Sequence, residues 1–180
     1  GTEADATFYY QNGKPASKGK YINQLKEGKW QFFGEDSSYV ISEEIYRNNM
    51  KEGLSVKYYP DGKVAEEIFY TKNLKNGAWN RNYENGNPWI RAFYSNNLLN
   101  GKYESWYEDG KKQLSGQYNY DRKDGLWHFY SPEGALKYEI TFKQGIPDSR
   151  QLEDEASEMI NSLEKKKGTI PDPEVTGEMW

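Results

Sequence analysis

The sequence contains no cysteine and a single histidine. The first absence excludes disulfides, thiolate metal sites and cysteine nucleophiles. The second excludes a multi-histidine zinc site and a two-histidine proton relay. No apolar run reaches the about 18 residues of a membrane-spanning helix. Apolar residues of all kinds make up only 35%, and mean hydropathy is −1.10. A chain so polar would ordinarily stay unfolded. Yet 16 Tyr, 7 Phe and 6 Trp bring the aromatic share to 16%. Those rings are the material for a thin core in one domain of ordinary size, 180 residues.

Basic excess is also missing. Residues 1–147 hold 20 Lys/Arg against 19 Asp/Glu, and residues 148–180 hold 4 against 9. The net charge of −4 therefore sits in the C-terminal segment, and the main body is neutral and charge-mixed. It lacks the electrostatic footprint of a nucleic-acid or anionic-membrane binder, so neither is expected as a partner. Gly1 has no Met before it, and residues 1–6 read as a linker. A processed leader is the expectation, with a bacterial cell envelope or secreted location rather than a cytoplasmic one.

What is present is a repeat. Gly28, Gly53, Gly77, Gly101 and Gly125 are spaced by 25, 24, 24 and 24 residues. A second glycine follows nine later at Gly62, Gly86, Gly110 and Gly134. An aromatic column at the same period contains Tyr21, Tyr46, Tyr70, Tyr94, Tyr118 and Phe142. Self-similarity of this kind decides the fold before any local reading. After each first glycine comes a short aromatic run, then a turn such as Tyr59-Pro60-Asp61-Gly62 or Ser131-Pro132-Glu133-Gly134. Pro presets φ near −65° and Gly accepts positive φ, which fits a type I turn closed by a Gly bulge. A second strand ends at the Tyr column, and a polar loop such as Asn23–Gly28 leads onward. The second period has Asp36-Ser37-Ser38 in place of the turn glycine and is expected to be the least regular hairpin.

A period of 24 residues is too short for a helix pair and fits one hairpin. The expected fold is all-β: tandem 24-residue hairpins over residues 7–147, in an elongated single-layer antiparallel meander of about 12 strands. Stacked rings of the Tyr column would form a structural ladder between neighbouring hairpins. Residues 148–167 leave the repeat. Leu152, Ala156, Met159, Ile160 and Leu163 lie on one helical face. Asp148 and Gln151 form a capping box, and Lys165–Lys167 with Gly168 close the helix. The expectation is an amphipathic α-helix that caps the last hairpin's edge, with a partner-docking helix as the alternative. Residues 168–180 read as an extended tail.

Gly77-Ala78-Trp79, Tyr83, Gly86 and Tyr94, with their equivalents in the other periods, resemble the MORN repeat in its variant form. In bacteria that form is often labelled a YwqK-type antitoxin component. The resemblance spans about residues 7–147. It implies scaffolding, membrane association or partner binding, and the label implies that the partner is a toxin protein. Choline- and glucan-binding repeats also use Gly, Trp and Tyr, but at a period of about 20 residues.

Among individual residues, one column is a binding candidate: Trp30, Trp79, Tyr103 and Trp127, two after each first glycine, with Ser55 interrupting it. The structural reading is core cover, and the functional one is a stripe that stacks on sugars or peptides. His128 follows Trp127 in a strand and reads as a surface residue rather than a base. Glu43-Glu44 and Glu66-Glu67 cannot act as carboxylate pairs, because adjacent strand residues point to opposite faces. Glu44 and Glu67 are expected to stack on one face with Arg91 and Lys57 as an ion-pair lattice. No phosphate loop and no Ser-His-Asp order is present. The expected function is a non-enzymatic protein-interaction or scaffold module, possessing neither metal nor cofactor. Its partner would be another protein. The rival reading is carbohydrate or envelope-glycan binding through the aromatic stripe.

Overall fold

The computed structural model describes residues 1–35, 39–148 and 158. The first hairpin pairs β1 (Glu3–Tyr9) with β2 (Pro15–Ile22). Next come β3 (Leu25–Phe33) and β4 (Val40–Arg47), then β5 (Met50–Lys51), β6 (Gly53–Tyr58) and β7 (Val64–Thr71). They are followed by β8 (Leu74–Asn82), β9 (Pro88–Ser95), β10 (Leu98–Leu99), β11 (Gly101–Trp106) and β12 (Lys112–Asn119). The last are β13 (Arg122–Tyr130), β14 (Leu136–Lys143) and β15 (Ile146–Pro147). Hydrogen-bonded neighbours follow sequence order, with the short β5 and β10 set beside β4 and β9. The strand count exceeds the expected 12 because β15 follows the last hairpin and because the first strand of a period breaks just before Gly53 and Gly101, whose φ values are +102° and +103°.

The array begins earlier than the linker reading supposed. Glu3 to Phe8 pair residue by residue with Ile22 to Ser17, so residues 3–6 are strand. Its last strand ends at Pro147, the expected limit. Ile146 and Pro147 pair with Lys143 and Phe142, and the Asp148 amide donates to the Thr141 carbonyl at 2.9 Å. The Asp148 carboxylate accepts from the Thr141 amide. The helix expected over 148–167 lies, but for positions 148 and 158, outside the described residues, as does the tail at 168–180.

Two turn types alternate along the chain. Within the hairpins other than that of β3 and β4 the expected turn forms: the Tyr59 amide donates to the Lys63 carbonyl, and the Gly62 amide to the Tyr59 carbonyl. The same pair of bonds recurs at Tyr10, Tyr83, Tyr107 and Ser131. Between hairpins, the expected polar loop is replaced by a two-residue turn. Asn48 and Asn49 have φ of +50° and +66°, and the equivalent pairs behave alike. Positive φ at both central residues is the type I′ geometry that matches strand twist. Asn and Asp recur there because their short side chains tolerate it.

These turns also bind each period to the one before. The Asn49 side chain accepts from the Lys26 amide at 2.6 Å while its own amide donates to the Lys26 carbonyl. Asn73 repeats the clamp on Lys51, and Asp121 on Leu99. At the other end of the hairpins, the Tyr107 hydroxyl donates to the Tyr130 carbonyl at 2.8 Å, and the Tyr83 hydroxyl to that of Trp106. The chain divides into two compact units, the first ending at Gly77 and the second starting at Ala78.

In the first unit the core is Trp30, Phe32 and Tyr46, with Ala6, Tyr21 and Ile41 against it. In the second, Trp127 touches Tyr118, Phe129, Phe142 and Tyr103. Tyr21 meets Trp30 edge-on at 5.0 Å and Tyr118 meets Trp127 edge-on at 5.1 Å. Tyr and Trp therefore interleave between hairpins, the arrangement aromatic quadrupoles favour over parallel stacking.

Candidate functional site

The Trp column lies inside this core. Trp30 and Trp127 are 0% exposed, and Trp79 and Tyr103 are also buried. Their ring faces are covered by neighbouring strands, so they are not a free stripe on which a sugar could stack. Burial has a local cause that the sequence reading missed. Lys18 pairs with Gln31 and Lys20 with Glu27, so Gly19 alone opposes Gly28, Lys29 and Trp30. The bulge tips the indole over Gly19, and Trp30 Nε1 donates to the Lys20 carbonyl at 3.2 Å. The same construction recurs four periods on: Trp127 lies over Gly116 and donates to the Gln117 carbonyl at 3.2 Å. The signal was readable as glycine 11 residues before tryptophan. Where that position holds Glu44 or Ala92, the ring becomes Ser55 or Tyr103; Ile68 before Trp79 does not follow this exchange of size.

Polar side chains share the inner face. Glu44 is buried, accepts from the Tyr46 hydroxyl at 2.6 Å and pairs with Lys51 at 3.0 Å. Lys57 pairs with Glu66 at 3.7 Å. In the second unit Arg81 is buried with its guanidinium 4.5 Å from the Trp89 ring centre. The four residues expected to share one face, Glu44, Glu67, Arg91 and Lys57, do not share it. Glu67, adjacent to Glu66, points to the opposite face, and Arg91 bonds the Arg81 carbonyl and Asn82. The physical reason is register: one period from Glu43, not Glu44, lands on Glu67.

The outer face carries the solvent-exposed chemistry. In the first unit Ile45 and Phe69 stand on it, Phe69 at 46% exposure. Phe69 leans over the next glycine: a Cβ on Gly77 would come within 3.0 Å of it. Beside them Glu43 accepts from Lys29, Gln31 and Tyr58. Burial pushes the Glu43 carboxyl up, but these three donors outweigh it and hold it below the ordinary value. In the second unit Phe93, 48% exposed, holds the equivalent position over Gly101, with Leu126 exposed as well. Glu104 there is likewise pushed up by burial and brought below the ordinary value by Lys102 and Lys112. His128 pairs with Glu139 across the strands at 3.0 Å, a surface contact between two partly exposed side chains. Among the described residues no three His, Cys, Asp or Glu side chains cluster in a way that could hold a metal, and no helix is long and apolar enough to cross a membrane.

No curated protein sequence matches this chain. The family model of the MORN repeat variant matches residues 3–23, 51–72, 75–96, 99–120 and 123–144. The hairpin at 24–50 lies outside those stretches; it is the one without the turn glycine, closed instead by the Gly34 amide on the Tyr39 carbonyl at 3.1 Å. With more than half of its length matched and the same two turns and interleaved rings in period after period, the chain belongs to the MORN repeat variant family.

Proposed function

We propose that the chain is a non-enzymatic module that binds another protein through its outer face. MORN repeats serve in general as interaction modules rather than enzymes. One observation carries the reading: a large apolar side chain recurs, exposed, one residue before the Tyr column. Ile45 and Phe69 hold this position in the first unit and Phe93 in the second. Carboxylates held in ion pairs share that face, Glu43 with Lys29 in the first unit and Glu104 with Lys102 and Lys112 in the second. Apolar anchors inside a polar surround are the anatomy of protein contacts. The large rings that a sugar would need are inside the core, which favours a protein over a glycan.

The test uses outward substitutions that leave the inner face intact. Phe69→Glu and Phe93→Glu should keep the melting temperature close to that of the unaltered chain, as surface changes do. Proximity labelling in the host cell should then show a set of proteins marked by the unaltered chain and lost with either variant. An unchanged labelled set would overturn the reading. So would glycan-array binding by the unaltered chain that changes its tryptophan emission.

A further inference from the structure

Among the described residues β1 pairs with β2 alone and its other edge is open; Glu3, Asp5 and Thr7 are all exposed. The Asn23 amide donates to the Thr2 carbonyl at 2.8 Å, which fixes the phase of the β1–β2 ladder. Opposed residues in an antiparallel pair alternate between bonded and non-bonded. Ala4 and Ala6, opposite Tyr21 and Gly19, thus use their main-chain groups toward β2. Those of Glu3, Asp5 and Thr7 are directed outward, unpaired among the described residues.

Three features make that edge a receptor. First, its inner positions are small. Ala6 and Ala4 stand where β3 and β13 carry a tryptophan and the glycine before it. Elsewhere the aromatic of a preceding strand packs on that position, as Tyr21 does on Trp30. Beside β1 this place is empty of described residues, and a hollow of about 510 Å³ lined by Thr2, Ala4, Tyr21, Asn23 and Gln24 opens there. Second, Phe8 is left half exposed at the end of the same row, although its other side stacks on Trp30. Third, the two carboxylates of the outer row, Glu3 and Asp5, stand on the edge strand itself, and its lysines, Lys18 and Lys20, stand behind them on β2. β1 itself carries neither lysine nor proline, the usual guards of an edge.

We propose that β1 captures an extended strand of a partner protein by antiparallel pairing along this edge. Every second side chain of that strand is apolar and enters the Ala4–Ala6–Phe8 row; a cationic side chain stands opposite Glu3. Main-chain bonds supply affinity in such strand addition, and alternate side chains supply selectivity. The edge and the outer face are separate surfaces, and either can fail without the other.

The probe is a blocked peptide of sequence LKYEITFK, that of β14, offered to the full chain. In a straight register its Phe, Ile and last Lys face Ala4, Ala6 and Glu3. Amide hydrogen exchange should slow about tenfold or more at Asp5 and Thr7 as the peptide saturates, and change little at Ala4, Ala6 and Phe8. Methylating the peptide nitrogens that face β1 should weaken binding about fivefold or more for each bond lost. Replacing its last Lys by Glu should weaken it too. Asp5→Pro in the chain removes only an outward donor, so β1–β2 pairing should survive and the peptide should be lost. No slowing at Asp5 and Thr7, or equal binding by the methylated peptide, overturns the proposal. Protection centred on Phe69 instead would reject edge capture while leaving the outer-face reading in place.

Discussion

Gly116→Ala isolates the packing device on which the core depends. The backbone at Gly116 is not in the left-handed region, so alanine meets no conformational strain there. The obstacle is the indole. A Cβ at this position would sit 2.2 Å from Trp127 Cδ2 and 2.4 Å from Cε2. Carbon atoms rest at about 3.5–4.0 Å, so the ring must retreat by more than about 1 Å. It has nowhere to go: Tyr118, Phe129 and Phe142 surround it, and its Nε1 is fixed on the Gln117 carbonyl. Overpacking costs about 1–3 kcal/mol, and loss of the indole bond about 1 kcal/mol more. Alanine's smaller unfolded-state entropy returns about 0.5–1 kcal/mol. The net expectation is about 1–3.5 kcal/mol, or about 2–14 °C in melting temperature for a chain of this size. The assay is denaturant unfolding of four proteins: unaltered, Gly116→Ala, Trp127→Ala and the double variant. In the Trp127→Ala background the alanine should cost nothing, so the coupling energy should equal the single-variant loss. A loss below about 0.5 kcal/mol, or the same loss in both backgrounds, would refute the argument.

Other substitutions follow from the turns and the buried pairs. Tyr120 holds φ of +48° with an exposed side chain; Tyr120→Asn should therefore stabilise by about 0.5–1 kcal/mol in thermal unfolding, and a loss would contradict the type I′ reading. Tyr46→Phe deprives buried Glu44 of its 2.6 Å donor, so a loss of about 1–3 kcal/mol is expected in denaturant unfolding, against none if the carboxylate were solvated. Glu43 and Glu104 have folded pKa values depressed below 4.5. Their contribution is complete above the unfolded value and lost as pH falls through the folded one, so stability should decline below about pH 4.5. Glu104→Gln should flatten that decline, and an unaltered pH profile would count against the Lys102–Glu104–Lys112 group.

The hairpins were legible because both punctuating residues are chemically constrained. Gly62, Gly86, Gly110 and Gly134 all take positive φ where a turn containing Pro, Asn or Asp demands it. The type I′ turns were not legible as such. Lys72-Asn73 and Tyr120-Asp121 hold positive φ without glycine, so the conformation is imposed by strand pairing and by side-chain clamps from the period before. The start at Glu3 was hidden for a related reason: Glu3–Ala6 carry no aromatic, and only pairing with Gly19–Ile22 makes them strand. The Trp column was visible, but its burial was not. Whether a ring on a sheet is covered depends on the residue across the strand, and Gly19 and Gly116 belonged to neither of the two glycine columns. The outer anchors Phe69 and Phe93 were one residue from the column that drew attention, on the opposite face.

Residue-resolved hydroxyl-radical footprinting of the native chain tests the central claim, that the conserved-period rings are core and the outer face is the available surface. Side chains react in proportion to solvent access, so each residue reports on itself. Phe69, Phe93 and Leu126 should be modified rapidly, and Trp30, Trp79, Tyr103 and Trp127 should resist until the chain is unfolded by denaturant. Rapid oxidation of Trp30 and Trp127 in the native chain, with Phe69 and Phe93 protected, would mean that the sheet presents the opposite face and would contradict the account.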